Sequence, residues 1–169
     1  CERYRPYANN LHEFEDTSYS SSEIVPRATV VARLASLESG RTLRFVYCGR
    51  IEGRKGVEHS IRVVAAAAKR GVRVEYDVIG DGTDRATCEA AVQSLGVADR
   101  VRFLGRKAYG PGLLLELAKY DGLLFTPLAE DTPRMIFDAY AAGLPMVAYG
   151  IEYVKERAEK EGATEVLRA

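Results

Sequence analysis

Two stretches of this chain hold the residues best suited to chemistry. The first, Gly49-Arg50-Ile51-Glu52-Gly53-Arg54-Lys55-Gly56, sets three glycines and three basic side chains close together. Glycine lets the backbone come near a ligand, and Arg and Lys supply the charge that holds a phosphate or diphosphate. Each charge-assisted bond contributes about 1.5–3 kcal/mol. No Gly-Lys-Ser/Thr follows, which excludes a Walker loop, and the glycine spacing excludes the dinucleotide fingerprint. On this loop alone a solvated basic turn stays open. The second stretch runs from Glu130 to Pro145 and places Asp138 eight positions after Glu130, between Phe137 and Ala139. Burying a carboxylate in such a segment costs free energy unless something donates to it, and sugar or ribose hydroxyls are natural donors. An exposed acid on an outer helix face is the other possibility. Two further turns, Gly80-Asp81-Gly82 and the one at Gly105-Arg106, are weak signals by themselves. Tyr109, close to the latter, could stack on a base, although an exposed loop tyrosine often does nothing.

These residues need elements to position them. Residues 1–25 show no sustained period and read as a leader or interdomain linker, and 26–169 as one domain. Pro26 opens a helix over 26–37. Then strands expected at 43–48, 72–79, 101–104, 122–126 and 145–148 alternate with helices. Those are expected at 56–70, after a cap at Thr83 or Asp84, at 112–119, from Thr132 as cap and Pro133 as first residue through 142, and at 152–161. The first of them carries Val57, Ile61, Val64, Ala65 and Ala68 on one face, and Gly71 stops it. Strand-helix alternation predicts an α/β fold: a doubly wound parallel sheet with helices on both faces. Right-handed crossovers bring the loops after the strands to one edge, where ligands of such folds bind. Residues 49–56, 80–84, 105–112 and 127–133 are therefore the candidate loops.

Composition narrows the function. Lys plus Arg equal Asp plus Glu at 24 each, so net charge offers no case for nucleic acid or an anionic membrane. No apolar run is long enough to span a bilayer, and the opening residues lack the apolar stretch of a signal peptide. Three cysteines, none in a CxxC pair, predict free thiols in a reducing cytosol. With His12 and His59 as the only histidines, no His/Cys metal site is expected. The same two residues fall outside the candidate loops, which argues against a nucleotide-sugar epimerase. His59 reads as an ordinary helical residue.

The ordered set of loops resembles the C-terminal, donor-binding domain of family-four-type (group 1) retaining glycosyltransferases with the two-domain GT-B fold. The residues that carry the resemblance are Gly49-Arg50, Lys55-Gly56, Gly80-Asp81-Gly82, Val101 to Gly105, Glu130 with Asp138, and Ala141 to Pro145. It covers roughly 41–160. It implies a Rossmann-like half of a glycosyltransferase that moves a sugar from a nucleoside-diphosphate sugar to an acceptor with retention, in a cytoplasmic, bacterial setting. Arg50 and Lys55 would hold the diphosphate and offset the leaving charge, Glu130 would face the sugar hydroxyls, and Asp138 the ribose. Backbone near Gly105 and Arg106 would meet the base, and Gly49, Gly80 and Gly82 would also belong to the donor-nucleotide site. Amides at the start of the helix at Pro133, Arg134 and Met135 would meet phosphate. No cofactor and no metal are expected, since Arg and Lys supply the charge.

Two residues depart from the family pattern. Asp138 stands where Glu is usual, one methylene shorter. Asp131 stands where small Gly is common, near the phosphates and expected to turn outward. The chain is expected to be a fragment, lacking the family's C-terminal end and an N-terminal acceptor domain that would also make any membrane contact. A non-catalytic nucleotide- or nucleotide-sugar-binding regulatory domain of the same fold is the alternative reading.

Overall fold

The computed structural model describes residues 6–7, 19–37 and 40–160. The polypeptide enters through a 3-10 turn at Ser21–Glu23 and helix α1, Arg27–Leu37. Strand β1, Leu43–Cys48, leads to a second 3-10 turn at Gly53–Lys55 and helix α2, Val57–Lys69. Then come β2 (Val74–Ile79), α3 (Arg85–Leu95), β3 (Val101–Gly105), α4 (Pro111–Leu117) and β4 (Gly122–Phe125). The remaining elements are α5 (Met135–Ala141), β5 (Met146–Ala148) and α6 (Glu152–Lys160).

Each element follows from its residues. Every residue of β4, Gly122-Leu123-Leu124-Phe125, is buried, as a central parallel strand covered on both faces requires. In α2 the buried positions Val57, Ser60, Ile61, Val64 and Ala65 recur at helical spacing and face the sheet. In α3 they are Cys88, Ala91 and Val92, and Gly96 at φ 67° closes that helix. Tyr47, Tyr76, Tyr120 and Phe125 are the largest wholly buried side chains. The Tyr120 hydroxyl donates to Asp77 at 2.8 Å, so the core keeps its polar atoms bonded.

The five strands pair in the order β3-β2-β1-β4-β5, all parallel. The chain moves outward from β1 through β2 to β3, then crosses back to start β4 on the far side of β1. Right-handed crossovers put α2 and α3 on one face and α4 and α5 on the other, and the packing of α2 on α3 and of α4 on α5 agrees. This is the doubly wound α/β fold that the sequence implies. Its strand order reverses between β1 and β4, so the loops leaving those strands diverge and open a crevice at the sheet's carboxyl edge.

The sequence reading misplaces a few boundaries. Strand β2 starts at Val74 rather than 72, because the Val72 amide donates back to Ala67 at 3.1 Å and closes α2. Helix α5 starts at Met135, not at Pro133, and Thr132 does not cap it. Instead the Pro133 carbonyl accepts from Ile136 at 3.2 Å, a tightened turn that precedes the first helical bond. The 1–25 segment lies largely outside the described residues, yet its end belongs to the folded unit. Val25 is buried and its amide donates to the Ala141 carbonyl at 2.8 Å. Behind it, the buried Arg33 of α1 donates to the carbonyls of Ala118 and Ala142, at the C-terminal ends of α4 and α5. A guanidinium there satisfies carbonyls that a helix end leaves open.

Candidate functional site

The crevice between the β1 and β4 loops is closed at its base by Gly56. This glycine sits at φ 69°, and a Cβ there would lie 1.7 Å from the Thr126 carbonyl oxygen. That close approach locks the two loops together. The Thr126 hydroxyl donates to the Gly56 carbonyl, with Oγ1 2.6 Å from its oxygen, and the Leu128 amide donates to Arg54 O at 2.9 Å. Gly80 plays the same part between β1 and β2, since a Cβ there would come within 1.8 Å of the Gly49 carbonyl oxygen. No other residue fits at either point.

Above this floor lies a cleft of about 560 Å³, lined from the loops after β1, β2, β3 and β4. The loop after β1 gives it Gly49, Arg50, Arg54 and Lys55, and the turn after β2 gives Gly80 and Asp81. Arg106, Lys107 and Tyr109 follow β3, and Asp131, Pro133, Arg134, Met135 and Asp138 come from the β4–α5 segment. Six basic side chains therefore face three acidic ones. A site of that sign and size suits an anionic small molecule.

The basic residues of the first loop are already engaged. Arg50, largely exposed, pairs with Glu52 at 2.9 Å, and the Tyr47 hydroxyl donates to the Arg50 carbonyl at 2.7 Å. Arg54 pairs with Asp131 at 2.9 Å, and the Lys55 ammonium pairs with the other oxygen of the same carboxylate. Burial pushes the Asp131 carboxyl up, but bonds and charge from Lys55 and Arg54 outweigh it and hold the carboxyl below its ordinary range. The outward turn expected of Asp131 is thus corrected. Its carboxylate turns toward the two cations because they are the nearest opposite charges in a partly desolvated cleft.

Asp138 lies buried in α5 and faces the cleft, with the Tyr109 hydroxyl donating to its Oδ1 at 3.0 Å. Burial raises its pKa, while the Tyr109 bond and the charge of Arg134 pull the other way without prevailing. The Cys48 thiol on the floor is pushed up to about 12, mainly by burial and further by the charge of Asp138, which makes it a poor nucleophile at neutral pH. His59 stands outside the cleft and packs edge-on against Tyr149.

Of the residues singled out from the sequence, Gly49, Arg50, Lys55, Gly80, Arg106, Pro133, Arg134, Met135 and Asp138 come together here. Gly82 and Gly105 do not line the cleft; a Cβ on Gly82 would come within 2.2 Å of the Ile51 carbonyl oxygen, and Gly105 turns the chain at φ 71°. Glu130 is not brought to the cleft either. It is exposed, and its Oε1 accepts the Glu152 amide at 2.8 Å, so it caps the start of α6 beside a separate groove. Sequence reasoning missed Arg54, Tyr47 and Lys107 as members of the site. Arg54 had a signal in the basic run around Lys55; Tyr47 read only as a core strand residue. Among the described residues no three His, Cys, Asp or Glu side chains gather as a metal ligand set, and no helix is long and apolar enough to cross a membrane.

A family model described as glycosyl transferases group 1 matches residues 42–168. The chain belongs to that family. Among curated proteins it is 36% identical over 116 residues to the 2-deoxystreptamine glucosyltransferase of Streptomyces kanamyceticus, covering 68% of this chain and 29% of that protein. It is 30% identical over 114 residues to the lipopolysaccharide 1,6-galactosyltransferase of Escherichia coli K12, covering 66% of this chain and 31% of that one. The chain therefore spans about three-tenths of the length of these relatives. Among solved structures, Anabaena HepE in complex with UDP-glucose superposes with a TM-score of 0.63 at 21% identity, over 82% of this chain and 38% of that one, a likeness of fold. The lipopolysaccharide outer core galactosyltransferase WaaB in its apo form gives 0.56 at 26% identity, over 64% and 30%.

Proposed function

We propose that this group 1 glycosyltransferase chain is a donor-binding domain whose cleft takes a nucleoside-diphosphate sugar, in an enzyme that transfers the sugar with retention of configuration. One observation carries the reading. A cationic glycine-rich loop and a buried, hydroxyl-bonded carboxylate share one cleft at the sheet's switch point. The first suits a diphosphate and the second a ribose, and both are parts of one ligand. Arg50, Arg54 and Lys55 take the diphosphate, Asp138 the ribose hydroxyls, and the backbone at Arg106 the base. The protein's part in catalysis is electrostatic: fixed cations offset charge on the leaving diphosphate. On this reading those side chains supply that charge without a metal.

Glu130 accepts the Glu152 amide with Oε1, so turning that oxygen to the donor sugar would release the cap on α6. Kinship with proteins named glucosyltransferase and galactosyltransferase supports a hexose donor. A fold shared with a protein solved with UDP-glucose is in keeping with that. A cytoplasmic setting, with any membrane contact made through another domain, completes the proposal.

Isothermal titration with UDP, GDP and ADP, each alone and as its glucose or mannose form, tests it. One nucleotide should bind, with its sugar form bound tighter. Arg50→Ala with Lys55→Ala should weaken it about a hundredfold in a still-folded chain, the loss of two charge-assisted contacts. Unchanged affinity in that double mutant sinks the assignment.

A further inference from the structure

The cleft's cations have an occupant of their own, and it sits where the proposed ligand's phosphate would sit. Lys55 and Asp131 are 11% and 12% exposed as side chains, the best shielded of the ion pairs at the cleft. Arg54, 41% exposed, braces the same carboxylate from the solvent side at 2.9 Å. One partner comes from the loop after β1 and the other from the loop after β4. The pair thus spans the crevice, and Asp131 lines it beside Lys55.

Resting on the reading above, we propose that Asp131 is a resident counter-ion that competes with the ligand's phosphate for Lys55 and so selects donor over product. An entering diphosphate must displace the carboxylate from the ammonium or share it. Either way, two anions of like sign come together in a partly desolvated cleft, and their repulsion grows with the phosphate's charge. A nucleoside diphosphate carries a terminal phosphate with a second ionisation near neutral pH, which the sugar caps in the donor. Asp131 therefore weighs more heavily against the free nucleoside diphosphate than against its sugar form. A site with Lys and Arg alone would hold the product hardest of all. The carboxylate removes that preference and eases release after transfer. Asp131 acts through Lys55, as a positioning and specificity residue.

The test is titration of the 169-residue chain and its Asp131→Asn, Asp131→Ser and Asp131→Glu variants with UDP and UDP-glucose, or the GDP or ADP pair if that base binds better. Asp131→Asn should tighten UDP about tenfold, the order carried by one charge-assisted contact freed from competition, and UDP-glucose by less. Asp131→Ser should behave like Asn, and Asp131→Glu, which keeps the charge, like the wild type. Thermal stability of the Asn variant should fall slightly while its UDP affinity rises. A pair that only holds the fold would lower both. Unchanged or weaker UDP binding in both neutral variants overturns the competition, as does equal tightening in Asp131→Glu. If the wild type binds and Lys55→Ala weakens it while the neutral variants do not tighten, only this inference falls. If no nucleotide binds to any of these chains, the donor-site reading falls with it.

Discussion

Asp138 presents opposite demands on one carboxyl group. Burial favours its neutral form, and the Tyr109 hydroxyl and the charge of Arg134 do not restore the ordinary balance, so the group titrates above the usual carboxylate range. Accepting ribose hydroxyls favours the charged form. Affinity for a nucleoside-diphosphate sugar should therefore fall as pH drops through that raised pKa, earlier than an exposed Asp would allow. The sugar form is the right probe, because its diphosphate has no ionisation in that window. Asp138→Asn should abolish the step and weaken nucleotide and nucleotide-sugar about equally, by roughly tenfold. A flat pH profile in the wild type would remove the ribose role. Glu130→Gln separates two roles for the other acid. Lost sugar-dependent affinity with bare nucleotide unchanged would place Glu130 on the sugar. Affinities unchanged in Glu130→Gln, together with a stability loss of about 1 kcal/mol in Glu130→Ala, which removes the acceptor that Gln retains, would leave it as the α6 cap seen here.

At the scale of elements, the site stands on the carboxyl ends of β1 and β4, and their opposite ends are held by Asp121. Its carboxylate pairs with Arg41 and accepts the Arg44 amide at 2.7 Å, tying the start of β1 to the start of β4. Burial pushes this carboxyl up, but bonds from Arg41 and Arg44 prevail and hold it below its ordinary range. A depressed carboxyl contributes stability above the unfolded-state pKa and loses it as pH falls through the folded value. Urea unfolding should show stability declining from about pH 4 downward. Asp121→Asn should cost about 2 kcal/mol at pH 7, since it removes the charge that Arg41 pairs with while Arg41 keeps its bonds to Ser36 and the Thr42 carbonyl, and should flatten the acid limb. An acid limb of unchanged depth would show that other carboxylates dominate it. The strands themselves were legible in the sequence. The span of β1 and the glycine after it follow from a short apolar run with a stop, and α2 from apolar spacing closed by Gly71. The start of α5 was not legible. Thr132-Pro133 has the composition of a cap and a first turn, but composition does not report that Asp131 is drawn across the crevice to Lys55 and Arg54.

At the scale of the molecule, the same distinction separates what a sequence shows from what only the fold shows. Periodicity and turn residues are local, so they reveal the strand-helix alternation, the parallel sheet and which loops share an edge. Pairings between loops far apart in the chain leave no local trace. Lys55 with Asp131, Tyr109 with Asp138 and Glu130 with Glu152 are of that kind, and they decide which candidate residues meet. Architecture also bears on activity. The chain covers about three-tenths of relatives named as whole transferases, and its cleft lies along the open edge of a single sheet. Transfer needs the acceptor oxygen held about 3 Å from the reacting carbon, with water kept out. On the proposed reading, the described domain supplies groups for the donor side of that geometry. We therefore expect the 169-residue chain to bind its nucleotide-sugar and not transfer the sugar. Supplying a domain that covers the cleft, in cis or in trans, should raise transfer at least a hundredfold, the scale that correct positioning commonly contributes. Chromatographic assay of labelled sugar against a panel of hydroxyl acceptors would check it, with the Arg50→Ala, Lys55→Ala double mutant as the blank. Robust turnover by this chain alone, lost in that mutant, would mean that one sheet edge completes the active site and that no second domain is needed.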